Sequence, residues 1–118
     1  MKEGALQVKS FAFAVRVVNL CHYLRNEKKE YVLSRQLLRS GTAIGALVRE
    51  ADQAESKPDF IHKLAIALKE ANETEYWILL LRETTYLAEN EAESVMNDNK
   101  ELLKLLTSII VSTKQSLS

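Results

Sequence analysis

The sequence predicts an all-α fold, an up-down-up-down antiparallel four-helix bundle that forms one domain over residues 1–118. Three observations support this prediction. Apolar residues recur at helical spacing along most of the chain, and no segment alternates apolar and polar residues as a strand would. Only three glycines and one proline occur, which leaves little of the chain for loops. The polar breaks are short, and short connections between long helices make consecutive helices antiparallel.

The four helices follow from the positions of the breaks. The first helix ends at the polar segment NEKKE, which has no apolar periodicity. Ser56 is the predicted N-cap of the third helix, with Pro58 in its first turn. Asn90 is the predicted N-cap of the fourth helix, with glutamates in its first turn. The predicted helices span about 5–25, 30–54, 56–88 and 90–114.

Length, charge and cysteine content indicate the class of protein. A chain of 118 residues with 47% hydrophobic residues is long enough to bury a core as a single domain. Cys21 is the only cysteine, and the N-terminus lacks the apolar run of a signal peptide, so we expect a cytoplasmic protein. The longest apolar clusters are far shorter than the ~20 residues that span a bilayer, so no membrane contact is expected.

Motifs for catalysis are absent from the sequence. It contains no glycine-rich phosphate loop and no serine nucleophile motif. Asp59 and His62 have the spacing of one carboxylate–histidine metal motif, but a di-iron bundle needs two such motifs and further carboxylates. Cys21 and His22 are sequence neighbours and point about 100° apart on a helix, a poor geometry for a nucleophile and its base. We therefore expect no enzyme, no cofactor, no metal and no small-molecule substrate, and keep an enzyme as the third alternative.

The first helix is apolar on two sides. Leu6, Phe13 and Val17 belong to one apolar face, whereas Phe11 and Val15 belong to another that is nearly opposite. A helix of a monomeric bundle needs only one apolar face, so a second face predicts cover by another copy of the chain. The run ILLL at 78–81 supports the same prediction, because four consecutive residues cannot all face one core. A monomer with an apolar exterior is the alternative.

Two glycines in the second helix predict a close helix crossing. Gly41 and Gly45 are four residues apart and form a smooth strip that another backbone can approach, at a cost of about 1 kcal/mol each in helix propensity. The alternative is that both glycines are neutral surface positions. The candidate residues for an oligomer interface are Phe11, Val15, Val18, Gly41, Gly45 and Leu80.

The charge of the chain is divided between its halves, although the formal net charge is zero. Residues 1–50 hold nine Lys and Arg against four Glu, and the rest holds seven against twelve Asp and Glu. Basic residues form one stripe on the second helix and another, at heptad spacing, on the first. The candidate nucleic-acid contacts are Arg35, Arg39 and Arg49 on the second helix, with Lys9 and Arg16 on the first. Lys2 extends the stripe of the first helix. The alternative is that they pair with the acidic third and fourth helices of the same or a neighbouring subunit.

The middle of the chain resembles the four-helix-bundle protein family encoded by 23S rRNA intervening sequences. The similar features are the QLLRS segment at 36–40, IGA at 44–46, Glu50, the Ser-Lys turn at 56–57 and the IA pair at 66–67. Two positions depart from the family, which usually has Asn at Leu47 and Gly at Ala51. The loss of Asn removes any hydrogen bond from that position, and Leu extends the apolar seam.

The resemblance has implications for assembly and function. It implies a cytosolic bacterial protein that assembles as a homopentamer and whose molecular function is unestablished. The related accessory proteins of diversity-generating retroelements bind nucleic acid and a reverse transcriptase through basic surfaces. Our first hypothesis is therefore an oligomeric binding module that contacts RNA or a nucleoprotein through the basic helix faces. The second is a purely structural or protein-interaction oligomer with no nucleic-acid role.

Overall fold

The computed structural model describes residues 4–117 and confirms the all-α four-helix bundle. Within these residues the chain forms no strand. The helices are α1 (Ala5–Asn26), α2 (Leu33–Ala51), α3 (Lys57–Glu83) and α4 (Glu89–Gln115). Lys2, the first residue of the predicted basic stripe on α1, lies outside the described residues.

Each helix packs against its neighbours in the chain, and α1 closes the bundle against α4. The helices therefore occupy the corners of a square, with α1 diagonally opposite α3 in an elongated body of 49 × 22 × 21 Å. The turn between α1 and α2 and the turn between α3 and α4 lie at the same end, because the helices run alternately up and down. None of the helices described in residues 4–117 is long and apolar enough to cross a membrane. The largest fully buried aliphatic side chains are Leu24, Leu37, Ile44, Leu64, Ile78, Leu81, Leu102 and Leu106.

The start of α2 depends on a residue that the sequence analysis did not single out. Glu30 is only 7% exposed, and its carboxylate accepts hydrogen bonds from the backbone N–H groups of Val32, Leu33 and Ser34 at 3.2, 2.9 and 2.7 Å. These are N–H groups without an intrahelical acceptor, since they lie before or within the first turn. The bonds place the beginning of α2 at Leu33, later than the predicted start near residue 30.

One predicted cap is confirmed and the other is wrong. Ser56 accepts the N–H of Asp59 at 3.2 Å and caps α3. Asn90 is not the N-cap of α4, because α4 begins at Glu89 with Ala88 as its N-cap. The helix break comes earlier than expected: Thr85 has a positive φ of 64°, which ends α3 at Glu83.

The two glycines of α2 mark the crossing with α1 of the same chain, which confirms the predicted close approach. A Cβ atom on Gly41 would lie 2.9 Å from both γ-methyl groups of Val17, and one on Gly45 would lie 3.2 Å from the backbone oxygen of Ser10. Gly41 is buried inside its own subunit and is not an oligomer-interface residue, contrary to its assignment from sequence. Gly45 also faces α1 but remains partly exposed.

Candidate self-association surface and basic clusters

The outer face of α1 carries a stripe of exposed apolar side chains, the outer stripe, formed by Val8, Phe11, Val15 and Val18. These side chains are 52%, 63%, 46% and 36% exposed. Successive members of the stripe are three, four and three positions apart. The same alternation of three and four is found for the apolar residues between two paired helices. The opposite face of α1 is buried in the core. The predicted two-faced helix is therefore present, and one of its apolar faces is uncovered in a single chain.

No charged side chain interrupts the outer stripe. Lys9 and Arg16 turn sideways toward α4, and Arg25 lies in the last turn of α1, beyond the end of the stripe. Ala12 and Ala14 lie beside the stripe on α1, and charged side chains such as Arg49 and Arg16 occur only in the walls of the grooves on its two sides. Charged residues are usually depleted at the centre of a protein–protein interface, and the outer stripe has that composition.

A groove borders the outer stripe on each side. The groove between α1 and α2 has a volume of about 670 Å³, and Phe11, Ala14, Gly45 and Arg49 are among its lining residues. The groove between α1 and α4 has about 700 Å³, and Val15 lines it. The stripe is therefore a ridge between two grooves, a shape into which another helix can pack.

Leu80, the remaining interface candidate, lies away from this surface. It is partly buried on α3, at the corner of the bundle opposite α1. The neighbouring Ile78 and Leu81 are fully buried in the core, so only part of the ILLL run faces outward. The structure brings Phe11, Val15 and Val18 together on one face and leaves Leu80 apart from them.

Three of the five candidate nucleic-acid contacts form ion pairs with the acidic helices of the same chain. Lys9 Nζ lies 3.0 Å from Glu101 Oε2. Arg16 Nη1 lies 2.7 Å from Asp98 Oδ2, and Arg39 Nη2 lies 2.7 Å from Glu73 Oε2. Pairing with the third and fourth helices was the alternative to a phosphate-binding role, and it is the arrangement present for these residues.

Arg35 and Arg49 differ from the other three. Both are exposed, and neither forms an ion pair within residues 4–117. They are fourteen residues apart on α2, so about 21 Å of helix separates them. The five basic residues therefore do not form one continuous surface.

A second basic cluster, which the sequence analysis missed, lies at the end of the bundle where α1 turns into α2. The guanidinium of Arg25 lies 5.7 Å from the ring centroid of Tyr31, and Lys28 Nζ lies 6.0 Å from that of Tyr23. Both rings are exposed, at 48% and 43%. We call these four residues the loop-end cluster. The signal for it is the interleaving of tyrosines and cations in YLRNEKKEY, of which only the NEKKE part was interpreted, as a helix break.

Cys21 is buried and chemically shielded. Its Sγ donates to the backbone oxygen of Ser34 at 3.3 Å, and burial raises the pKa of the thiol from 9.0 to about 11. The thiol is therefore protonated at neutral pH and is a poor nucleophile. In the described part of the chain, no three His, Cys, Asp or Glu side chains are grouped so that they could hold a metal ion.

Comparisons with known proteins agree with the resemblance seen in the sequence. The chain is similar to a crystal structure of a protein of unknown function from the S23 ribosomal protein family of Bacteroides thetaiotaomicron. The two are 59% identical with a TM-score of 0.89, and the match covers 90% of this chain and 98% of that one. No curated protein sequence is significantly similar to the chain. Residues 4–108 match the family model of the 23S rRNA-intervening sequence proteins, and the chain belongs to that family.

Proposed function

We propose that the protein is a helical assembly module whose copies associate through the outer stripe of α1. The observation that carries this proposal is the exposure of four large apolar side chains at helix-pairing spacing on a face without charge. Large contiguous apolar patches are uncommon on soluble monomers and mark interaction sites. The occupant that fits is a second copy, because each copy carries both the ridge and the two grooves beside it, and the ridge of one copy can pack into a groove of another.

The number of copies and the cellular location are also proposals. Five subunits is the number that the family resemblance implies, and a ridge that packs into a groove of the next copy is a head-to-tail contact, which can close into a ring where each copy has two neighbours. The single buried thiol supports a cytoplasmic location, where cysteines remain reduced. The proposal gives the protein no catalytic role.

The contacts of the basic helix faces favour self-association over RNA binding as the role of α1 and α2. Lys9, Arg16 and Arg39 already have carboxylate partners, so a phosphate would have to displace an existing ion pair at each of them. Arg35 and Arg49 have no such partner but lie far apart on α2. Two separated cations supply little phosphate affinity at physiological salt.

Size-exclusion chromatography of two charge variants tests the proposal. Phe11→Glu places a carboxylate at the most exposed position of the outer stripe, and burying it in an interface would leave an unpaired charge. We expect this variant to elute as a smaller species than the unmodified protein. Val111→Glu is the matched control, because Val111 is also exposed, at 49%, but lies on α4.

The two variants have clear opposing outcomes. The control is expected to keep the elution volume of the unmodified protein, and circular dichroism checks that both variants remain helical. If Phe11→Glu elutes with the unmodified protein, the outer stripe is not the association surface. If both variants dissociate, the effect reflects added charge rather than position, and the proposal fails.

A further inference from the structure

We propose that the loop-end cluster binds single-stranded nucleic acid, with Tyr23 and Tyr31 stacking on bases and Arg25 and Lys28 contacting phosphates. This goes beyond self-association, although the two surfaces are adjacent: Tyr23 lines the α1–α4 groove but lies more than one helical turn beyond Val18, the last residue of the outer stripe. It also differs from the basic helix faces, since none of these four residues belongs to them.

The two cations of the loop-end cluster are not neutralised by carboxylates and can contact a phosphate. Arg25 and Lys28 form no ion pair with any residue in 4–117, and their partners are uncharged tyrosine rings. A cation–π contact holds a cation in place without neutralising it. Lys29 in the same turn, whose Nζ donates to the backbone oxygen of Asn26, and Arg35 near the start of α2 are also exposed, which gives four cations without an ion pair at this end within residues 4–117.

The carboxylates at this end of the bundle are divided unequally between its two turns. The Glu30 carboxylate is buried and bonded to three backbone N–H groups of the α2 start. At the adjacent turn between α3 and α4, Arg82 lies 3.1 Å from Glu83 and 3.9 Å from Glu89. Glu27 alone is an exposed carboxylate of the α1–α2 turn. The α1–α2 turn itself therefore carries more exposed cations than carboxylates, so a polyanion is expected to approach from its side. The adjacent α3–α4 turn and the start of α4 carry exposed glutamates, namely Glu83, Glu89, Glu91 and Glu93.

The tyrosines decide which polyanion fits. The carboxylates of an acidic protein segment or the headgroups of an anionic membrane would use the cations, but these anionic groups are not each accompanied by a ring that can stack on an aromatic face. A single-stranded nucleic acid uses both features, since its unpaired bases stack on aromatic side chains while its phosphates contact the cations. Val32, which is 71% exposed, adds apolar surface beside Tyr31 for a base or ribose.

Fluorescence anisotropy with a short fluorescein-labelled polyuridine RNA tests the proposal on the full chain. We expect saturable binding at low salt that weakens as salt rises. Replacing both tyrosines, Tyr23→Leu with Tyr31→Leu, removes the stacking faces but keeps apolar bulk. Stacking contributes about 1–3 kcal/mol per base, so the double variant is expected to bind at least about tenfold more weakly.

A charge variant tests the phosphate contacts separately. Arg25→Gln with Lys28→Gln removes two cations, and we expect the slope of log affinity against log salt to fall by about 1.4. Lys100→Gln with Lys104→Gln is the matched control: both lysines are exposed on α4, are unpaired within residues 4–117, and carry the same total charge. Tyr76→Leu, at an exposed ring on α3, is the control for the loss of an aromatic side chain.

Each possible result decides the matter. Loss of affinity in the two loop-end variants, with both controls unchanged, supports the proposal. Absence of RNA binding at low salt overturns it, as does an equal loss in the lysine control. If the tyrosine variant binds RNA like the unmodified protein, bases do not stack on these rings and the proposal fails. If polyglutamate competes as well as RNA, the surface recognises negative charge rather than bases, which also overturns the proposal. Circular dichroism confirms the fold of each variant.

Discussion

The carboxylate of Glu30 is expected to hold the first turn of α2 in place, and its removal gives a well-defined prediction. Glu30→Ala deletes an acceptor that receives three backbone N–H groups, the shortest of which is the bond from Ser34 at 2.7 Å. Ser34 is fully buried, so water cannot replace this bond in the variant. We therefore expect the variant protein to be less stable and the first turn of α2 to fray.

The magnitude follows from the three bonds. Loss of a single-bond N-cap costs about 1 kcal/mol, and a buried unsatisfied donor costs about 1–3 kcal/mol. The loss of a negative charge at a helix N-terminus adds about 0.3–1 kcal/mol. We expect Glu30→Ala to lower the free energy of unfolding by about 3 kcal/mol. For a domain of this length, that corresponds to a fall in Tm of about 12 °C.

Thermal and urea denaturation followed by circular dichroism measures this change, at one fixed protein concentration because association alters apparent stability. Glu27→Ala is the matched control: it removes an exposed carboxylate from the same turn, and we expect a change below about 0.5 kcal/mol. A loss of less than about 1 kcal/mol for Glu30→Ala, or equal losses for both variants, would refute the capping role.

Two further predictions concern the crossing of α1 with α2 and the buried thiol. Gly41→Ala is expected to lower the free energy of unfolding by about 1 kcal/mol, although Ala favours helix, because its Cβ would lie 2.9 Å from two methyl groups of Val17. A rise in Tm on thermal denaturation would contradict the close approach. The pKa of Cys21 is raised from 9.0 to about 11, so the folded state retains a proton that the unfolded state loses. The contribution of the Cys21 thiol to the free energy of unfolding is therefore complete below about pH 9 and falls as the pH rises toward about 11. The difference in unfolding free energy between the unmodified protein and Cys21→Ala should narrow over that range.

Local sequence signals predicted the helices and much of their packing. The periodicity of apolar residues gave four helices, Ser56 was recognisable as a cap, and Gly41 with Gly45 predicted a close crossing. The two-faced character of α1 could also be read directly, because the positions of Phe11 and Val15 relative to Phe13 and Val17 depend only on helix geometry.

Features that depend on unusual backbone or on neighbouring helices could not be predicted in this way. Thr85 adopts a positive φ that non-glycine residues seldom adopt, and the sequence carries no sign of it. Glu30 caps α2 from outside the usual N-cap position. The partners of Lys9 and Arg16 are more than 70 residues away in the chain, so these pairs depend on how α1 and α4 are rotated against each other.

The central claim, that copies of the chain cover the outer stripe for one another, is tested most directly by light scattering on the unmodified protein over a range of concentrations. We expect a constant molar mass of at least twice 13.4 kDa, in whole-number multiples of that value, and five times 13.4 kDa for a pentamer. A mass of 13.4 kDa at all concentrations, with the protein remaining soluble, would show that Phe11 and its neighbours stay exposed to water and would contradict the account.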